Sequence, residues 1–305
     1  MAELLVPQLV LVLCSLELSR GATRNDCPSA CFCDAEGQYV SCVGDGTWRV
    51  PQDLPGSSER LELRNFAVDV LAPRVLEGVA ALRELKLQQS QTRRVEDGAL
   101  STLALLQRLD LSQNLLENLT SGSFRGLQQL KYLDLSSNRL VHVDGAFADL
   151  GNLEQLNLRG NLLTQLSTYT FTGLHRIQYL NLDSNLISSL EVGAFQYLAN
   201  LAHLILSNNP LTSLSRLDFF GSRLQYIDAS HNSIEELPPN SFPGLSNLEQ
   251  LFLQRNQIRT IADCAFCDLS KLKTLDLQAN QIEILSSEAL RNLSSLVLLD
   301  VSQNP

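Results

Sequence analysis

A nine-residue leucine pattern that ends in asparagine recurs along this chain at a nearly constant interval. Residues 106–114 carry Leu at the first, fourth and sixth positions, and residues 130–138 repeat that arrangement. Nine copies, spaced by 23 or 24 residues, end at Asn114, Asn138, Asn161, Asn185, Asn209, Asn232, Asn256, Asn280 and Asn304. A fixed period of this length indicates one small unit stacked many times, rather than several independent globular domains.

Two less regular copies precede these nine. Residues 58–66 and 82–90 keep the leucine spacing but end in Phe66 and Ser90, where the other copies have Asn. A unit of this size cannot bury its apolar face alone, so the ends of the stack need caps. We expect the first two of the eleven units to be the less regular ones, with the side chains of Phe66 and Ser90 packed against an N-terminal cap.

Within each unit, the alternation of Leu109 and Leu111 with polar residues predicts a short strand that has one buried face. Successive strands would then lie side by side in a parallel sheet. Asn114 and its equivalents end each strand at a bend, where buried backbone groups need hydrogen-bond partners. Because an Asn amide both donates and accepts, we expect a ladder of amides that joins neighbouring turns.

A second periodic position is aromatic. Nine or ten residues after each Asn stand Phe124, Phe147, Phe171, Phe195, Phe219, Phe242 and Phe266. The outer units have Leu76, Leu100 and Leu290 at this place. We interpret the series as a spine that fills the convex half of the core; a cofactor-binding box is the alternative.

The amino-acid composition agrees with a stack of similar repeats and argues against nucleic acid binding and membrane-spanning helices. Leu fills 64 of the 305 positions, as expected if one packing solution is used many times. The formal net charge of -10 disfavours binding to a nucleic acid backbone. No internal apolar run of about 18 residues predicts a membrane-spanning helix.

The pattern L-x-x-L-x-L-x-x-N, continued over nearly the whole chain, resembles the extracellular leucine-rich repeat family. That resemblance implies an α/β repeat fold: a right-handed solenoid with a concave parallel β-sheet and a mostly irregular convex side. It also implies a non-catalytic module that recognises a protein partner on the concave face, as in adhesion molecules, slit-like guidance proteins and Toll-like receptors. The alternative is a structural matrix component or a stabilising subunit of a secreted enzyme complex.

The N-terminus predicts secretion. Residues 1–21 contain an apolar stretch typical of a cleavable signal peptide, although an N-terminal core segment is the alternative. Cleavage would remove Cys14 and leave six of the seven cysteines, an even number. We therefore expect a secreted protein, or one on the extracellular face of the plasma membrane.

Four cysteines follow in the order C-x3-C-x-C-x8-C, within residues 26–55. This segment resembles the N-terminal cap of secreted leucine-rich repeat proteins, which implies that Cys27 pairs with Cys33 and Cys31 with Cys42. The spacing alone allows three pairings, and four thiols could instead hold zinc. An oxidising compartment favours disulfides.

A further pair, Cys264 and Cys267, flanks Phe266. A local disulfide is the favoured interpretation, and two free buried thiols are the alternative. Redox catalysis would require a βαβ context, and zinc would require two further ligands, neither of which the sequence supplies.

Catalysis finds little support. None of the four histidines, His142, His175, His203 and His231, lies in a known metal or nucleophile motif. A row of acids and amides along the predicted strands could imitate a metal site, but we interpret it as a solvated family consensus: Asp110, Asp134, Asn157, Asn181, Asp228, Asp276 and Asp300. We expect no cofactor and no metal.

Departures from this consensus point to a binding surface. Apolar, aromatic or imidazole side chains occupy outward strand positions in repeats four and six to nine. They are Tyr132, Tyr179, His203, Ile205, Tyr226 and Phe252. Because neighbouring strands lie about 4.8 Å apart, we expect one continuous concave patch. Ordinary surface variation is the alternative.

Two further features concern the outer surface and the C-terminus. Asn118 and Asn292 begin N-glycosylation sequons outside the inner strands. Residues 56–305 hold the eleven repeats, of which the last is incomplete and lacks a C-terminal cap. We expect the natural product to continue, or the gene model to be truncated, and the chain as it stands to dimerise or aggregate through that edge.

Overall fold

The leucine segments form the strands of one long sheet in the computed structural model, which describes residues 27–214 and 223–305. The predicted signal segment and Phe219 lie outside the described residues. The strands are β1 (Cys31–Cys33), β2 (Tyr39–Val43), β3 (Arg60–Arg64), β4 (Val70–Leu71), β5 (Glu84–Gln88), β6 (Arg94–Val95), β7 (Arg108–Asp110), β8 (Tyr132–Asp134), β9 (Gln155–Asn157), β10 (Gln165–Leu166), β11 (Tyr179–Asn181), β12 (Ser189–Leu190), β13 (His203–Ile205), β14 (Tyr226–Asp228), β15 (Glu236–Leu237), β16 (Gln250–Phe252), β17 (Thr260–Ile261), β18 (Thr274–Asp276) and β19 (Leu298–Asp300).

Thirteen of these strands form the concave sheet. Its order is β1-β2-β3-β5-β7-β8-β9-β11-β13-β14-β16-β18-β19, so each of the eleven repeats contributes one strand after the two from the cap. Only β1 and β2 pair antiparallel, and all later neighbours are parallel. The predicted solenoid with a concave parallel sheet is therefore confirmed.

The convex side is irregular, as the resemblance to the leucine-rich repeat family implies. Three pairs of two-residue strands, β4–β6, β10–β12 and β15–β17, interrupt a succession of turns. No helix occurs in the described ranges. Correspondingly, none of the described elements is a helix long and apolar enough to cross a bilayer.

The core consists of the repeated leucines and the aromatic spine. Leu109 and Leu111 are fully buried, and so are their equivalents in every following repeat except the last. Spine rings lie parallel in neighbouring repeats, with centroids 5.8–6.3 Å apart: Phe124 with Phe147, Phe171 with Phe195, and Phe242 with Phe266. Each repeat thus packs mainly on its neighbours.

Buried asparagines hold the turns together. The Nδ2 group of Asn138 donates to the carbonyls of Leu135 and Ser136 in its own repeat and of Leu111 in the preceding one. Its Oδ1 accepts the backbone N–H of Leu116, again in the preceding repeat. The same set of partners recurs from Asn114 to Asn304, with small variations. One side chain therefore satisfies backbone groups in two turns.

The cap extends the sheet instead of only covering its end. β2 pairs with β3 over five residues, and the buried side chains of Val40 and Cys42 continue the leucine core. The structure joins Cys27 to Cys33 and Cys31 to Cys42. The second of these disulfides links β1 to β2, which fixes the hairpin that closes the solenoid.

The expectation for the first two repeats is partly wrong. Phe66 does pack against the cap. Its ring lies so close to Gly44 that a Cβ added to this glycine would be only 3.2 Å from the ring. Ser90 instead lies between repeats: its Oγ accepts the N–H of Phe66, and its own N–H donates to Asn114. The strands of these repeats, β3 and β5, are also longer than the later ones, with five residues against three.

Candidate functional site

Two side chains of each three-residue strand point away from the core onto the concave face. Along most of these strands the middle residue is buried while the first and third are exposed or partly exposed; on β8 and β11 the third residue, Asp134 or Asn181, is buried as well. Parallel pairing is in register, which aligns the first residues in one row and the third residues in another. The concave face is consequently a regular grid of side-chain positions, and the sequence determines which side chain occupies each position.

Four rings form a line across four adjacent strands, from β11 to β16. Tyr179, His203 and Tyr226 are the first residues of their strands, and Phe252 is the third residue of β16. The ring centroids of Tyr179 and His203 are 6.4 Å apart, those of His203 and Tyr226 are 5.8 Å apart, and those of Tyr226 and Phe252 are 5.3 Å apart. His203 is exposed and the other three are partly buried. We call these four residues the ring row.

Ile205 lies beside the ring row. It is the third residue of β13 and stands in register between Asn181 and Asp228. Its side chain is partly exposed, so it adds aliphatic surface next to the rings of Tyr226 and His203.

Tyr132 does not join the ring row, contrary to the expected continuous patch. Gln155 on β9 stands in register with both Tyr132 and Tyr179 and therefore separates them. The Tyr132 hydroxyl donates to Asp134 at 2.9 Å, and the Arg108 guanidinium lies over its ring. Burial, followed by the charge of Asp134, raises the pKa of Tyr132 well above its usual range. This tyrosine belongs to a polar network within the chain.

From the sequence, we interpret the acids and amides at the third strand position as a solvated consensus. In the structure they also form hydrogen bonds within the chain. In each one Oδ1 accepts the backbone N–H two residues later, at 2.8–3.1 Å, and two of them, Asp134 and Asn181, are buried. Such an Asx turn diverts the N–H that would continue the strand ladder. β3 and β5 carry Glu62 and Lys86 at this position, which cannot form the turn, and this explains their greater length.

Sequence reasoning also missed the network around Asp183. This buried carboxylate accepts hydrogen bonds from Ser207 Oγ and Asn208 Nδ2 at 2.8 and 2.7 Å, and from Ser184 Oγ. It pairs with Arg159 Nε at 3.1 Å. Burial by itself would raise the pKa of Asp183, but the three hydrogen bonds and the nearby guanidinium together lower it. The sequence held one sign of this network: Asp183 stands at a position of the repeat where Ser is common.

The remaining candidate residues lie away from the ring row. Cys264 and Cys267 are joined by a disulfide in a convex-side turn. Across the described ranges, no three His, Cys, Asp or Glu side chains lie close enough to hold a metal ion. Asn118 and Asn292 are both exposed and outside the concave strands. Glycans at these positions would leave the ring row accessible.

Comparison with known proteins shows what the repeats are similar to. The leucine rich repeat family model matches nine overlapping segments that together extend from residue 59 to residue 305. Human chondroadherin-like protein is 33% identical over 100 residues, which are 33% of this chain and 13% of that protein. Mouse podocan is 37% identical over 84 residues, which are 28% of this chain and 14% of that protein.

The chain thus matches well under a fifth of the length of these curated relatives. Among solved structures, a chain of the octameric complex of Latrophilin 3, Unc5D and FLRT2 (LRR) is 28% identical and superposes with a TM-score of 0.76. The match covers 92% of this chain and 85% of that one.

Proposed function

This chain belongs to the leucine-rich repeat family, and on that premise we propose that it is an extracellular, non-catalytic module that binds a protein partner on its concave face. The observation that carries the proposal is the ring row. Four contacting rings lie on adjacent strands, at positions where most other repeats carry polar side chains. Tyr and other aromatic side chains are enriched in protein interfaces, where their large surfaces are buried at little entropic cost.

The backbone beneath the rings supports this role. The strands that carry Tyr179, His203, Tyr226 and Phe252 are flanked by further strands on both sides and are joined by buried Asn amides. A binding surface on such a scaffold loses little conformational freedom on association, which favours affinity.

Disulfides and relatives support an extracellular location. Six cysteines form three disulfides, which persist in oxidising compartments and are rare in the cytosol. One solved chain that this chain resembles comes from a complex of three proteins, Latrophilin 3, Unc5D and FLRT2 (LRR). We propose that this chain likewise binds other proteins, as a receptor or adhesion ectodomain or as a secreted binder.

The proposal is tested with a triple variant, Tyr179→Ala, Tyr226→Ala and Phe252→Ala. Its affinity for a partner identified by screening extracellular proteins should fall by at least about a hundredfold, since buried aromatic anchors each contribute roughly 2 kcal/mol. The matched control replaces Arg60, Glu84 and Lys86 with Ala on the same face and should bind normally. Unchanged affinity of a correctly folded ring variant would contradict the proposal.

Dimerisation through the last repeat stays a prediction. Val297, Leu298 and Val301 are 85%, 54% and 41% exposed, respectively. Exposed apolar side chains in one patch favour self-association. Light scattering should show a dimer or larger species, and a monodisperse monomer would contradict the prediction.

A further inference from the structure

The carboxylates on the concave face differ in how many of their oxygens the chain itself uses. Asp134 uses both: Oδ1 accepts the N–H of Ser136, and Oδ2 accepts from the Tyr132 hydroxyl and from Asn157 Nδ2. Asp110 likewise accepts from Gln88 through Oδ2. In these two acids, both carboxylate oxygens are therefore engaged within the chain.

Asp228 and Asp276 use only one oxygen each. Oδ1 of Asp228 accepts from the N–H and the hydroxyl of Ser230, and Oδ1 of Asp276 accepts the N–H of Gln278. Within the described part of the chain, neither Oδ2 accepts a hydrogen bond and neither carboxylate forms an ion pair. The turn hydrogen bonds therefore hold two charged groups in place while leaving one oxygen of each available.

An aromatic ring stands between these two carboxylates. Phe252 is in register with Asp228 on β14 and with Asp276 on β18, so an acid flanks it on each neighbouring strand. With strands about 4.8 Å apart, both lie within reach of a group placed over the Phe252 ring. Tyr226, whose ring is 5.3 Å from that of Phe252 and inclined by 44°, forms a second wall.

This combination favours a cation. Ring faces carry negative partial charge and attract Lys or Arg, and carboxylates add full charges. A guanidinium matches the arrangement better than an ammonium, because it can stack on a ring while its several N–H groups donate to carboxylates on two sides. Among the described cations, Arg255 is the nearest to Phe252 in the sequence, three residues after it; it is exposed and pairs with neither acid.

We propose that Tyr226, Asp228, Phe252 and Asp276 form a subsite that binds an arginine side chain displayed by the protein partner. The inference rests on the proposed function, of which it specifies the partner's chemistry. We call these four residues the arginine subsite.

The test uses peptides as the probe, because they can be selected on this chain without first identifying its protein partner. A phage library of cyclic peptides is depleted on the full chain carrying Tyr226→Ala and Phe252→Ala, and then selected on the unmodified chain. The peptides recovered should share an arginine. Replacing that arginine with citrulline, its neutral isostere, should weaken binding by roughly tenfold to a hundredfold.

The carboxylates are tested by Asp228→Asn with Asp276→Asn. Asn157 and Asn181 already form the same turn as amides, so the double variant should fold normally. It should bind the arginine peptide as weakly as the unmodified chain binds the citrulline peptide, with no further loss when both changes are combined. The control pair, Asp110→Asn with Asp300→Asn, alters acids outside the subsite and should leave binding unchanged.

The outcomes separate the two proposals. Ring-dependent peptides that carry no shared cation, or that bind equally well with citrulline, would overturn the arginine subsite while leaving the concave face as the binding surface. Selection of lysine in place of arginine would contradict the choice of a guanidinium. A selection that yields no ring-dependent peptide would contradict both proposals.

Discussion

The concave face has two regions built on the same backbone but with opposite surface chemistry. On β3 and β5 the outward side chains pair with one another: Lys86 Nζ lies 2.7 Å from Glu62 Oε1, and Arg60 lies 3.7 Å from Glu84. From β11 to β16 the outward positions carry the ring row, whose members contact each other while retaining exposed edges.

This difference indicates which region can bind a partner. Charges that are already paired within the chain must lose both water and part of their pairing when a partner covers them, so little net energy remains. Aromatic surface has no such competing partners and gains on burial. The repeat supplies the same grid throughout, and the side chains placed on it decide where binding occurs.

The largest difference in stability is expected between substitutions of the turn residues beneath the two regions. Asn185 satisfies the carbonyls of Leu158 and Leu182 and the N–H of Leu163, whereas Ser90 bonds only Phe66 N–H and the Gln88 carbonyl through its hydroxyl. Asn185→Ala should cost about 4 kcal/mol of unfolding free energy, because several buried groups lose their partners at about 1–3 kcal/mol each. Denaturant titration measures this loss.

Ser90→Ala provides the matched comparison and should cost only about 1 kcal/mol. Equal losses for the two variants would mean that the amide ladder does not distinguish the later repeats from the first two.

A smaller effect is expected at Asp183, beside the ring row. Asp183→Asn can keep an oxygen where Ser207 and Asn208 both donate, but it then places an amide NH₂ against Ser184 Oγ and Arg159 Nε and removes the charge that faces Arg159. We expect a loss of about 2 kcal/mol at pH 7. Because the folded pKa is lowered from 3.8, this stabilisation is complete above that value and is lost as the pH falls through the folded pKa.

Thermal unfolding of both chains over a pH series checks the sign. The unfolding temperatures of the two chains should converge as the solution becomes acidic. A difference that grows as the pH falls would show that the lowered pKa does not belong to Asp183.

The smallest effect is expected in the ion-paired region. The hydrogen bond from Lys86 is the main cause of the lowered pKa of Glu62, and partial burial opposes it. Glu62→Gln should cost about 1 kcal/mol or less, since both side chains retain contact with solvent. The loss should be present at neutral pH and disappear as the pH falls below 4.5 through the folded pKa.

High salt should reduce the effect of Glu62→Gln further, because partly exposed pairs are screened. A loss of several kcal/mol that is insensitive to salt would place Glu62 among the buried structural groups and weaken the contrast between the two regions.

The sequence predicts the features that the period alone determines. The position of Leu109, Phe124 or Asn138 in its unit settles whether it is buried, because each unit packs on a copy of itself. The sequence also places Tyr179, His203 and Tyr226 in one row, since register follows from the repeat.

What the sequence does not reveal depends on particular neighbours. Tyr132 has the residue type of the ring row, yet Gln155 on the strand between them separates it from Tyr179. The Asx turns and the Asp183 network arise from hydrogen bonds between side chains and backbone or between adjacent repeats, which a pattern of residue types does not specify. Local geometry therefore had to be seen in the structure.

The central claim, that the partner covers the ring row, is tested most directly with an engineered glycan. His203→Asn combined with Ile205→Thr introduces a sequon in the middle of the ring row, and Arg60→Asn combined with Glu62→Thr introduces one in the ion-paired region. Both chains are compared for partner binding after their glycan occupancy has been measured by mass. The first glycan should abolish binding, and the second should leave it intact. Full binding by a chain that carries the glycan in the ring row would contradict it.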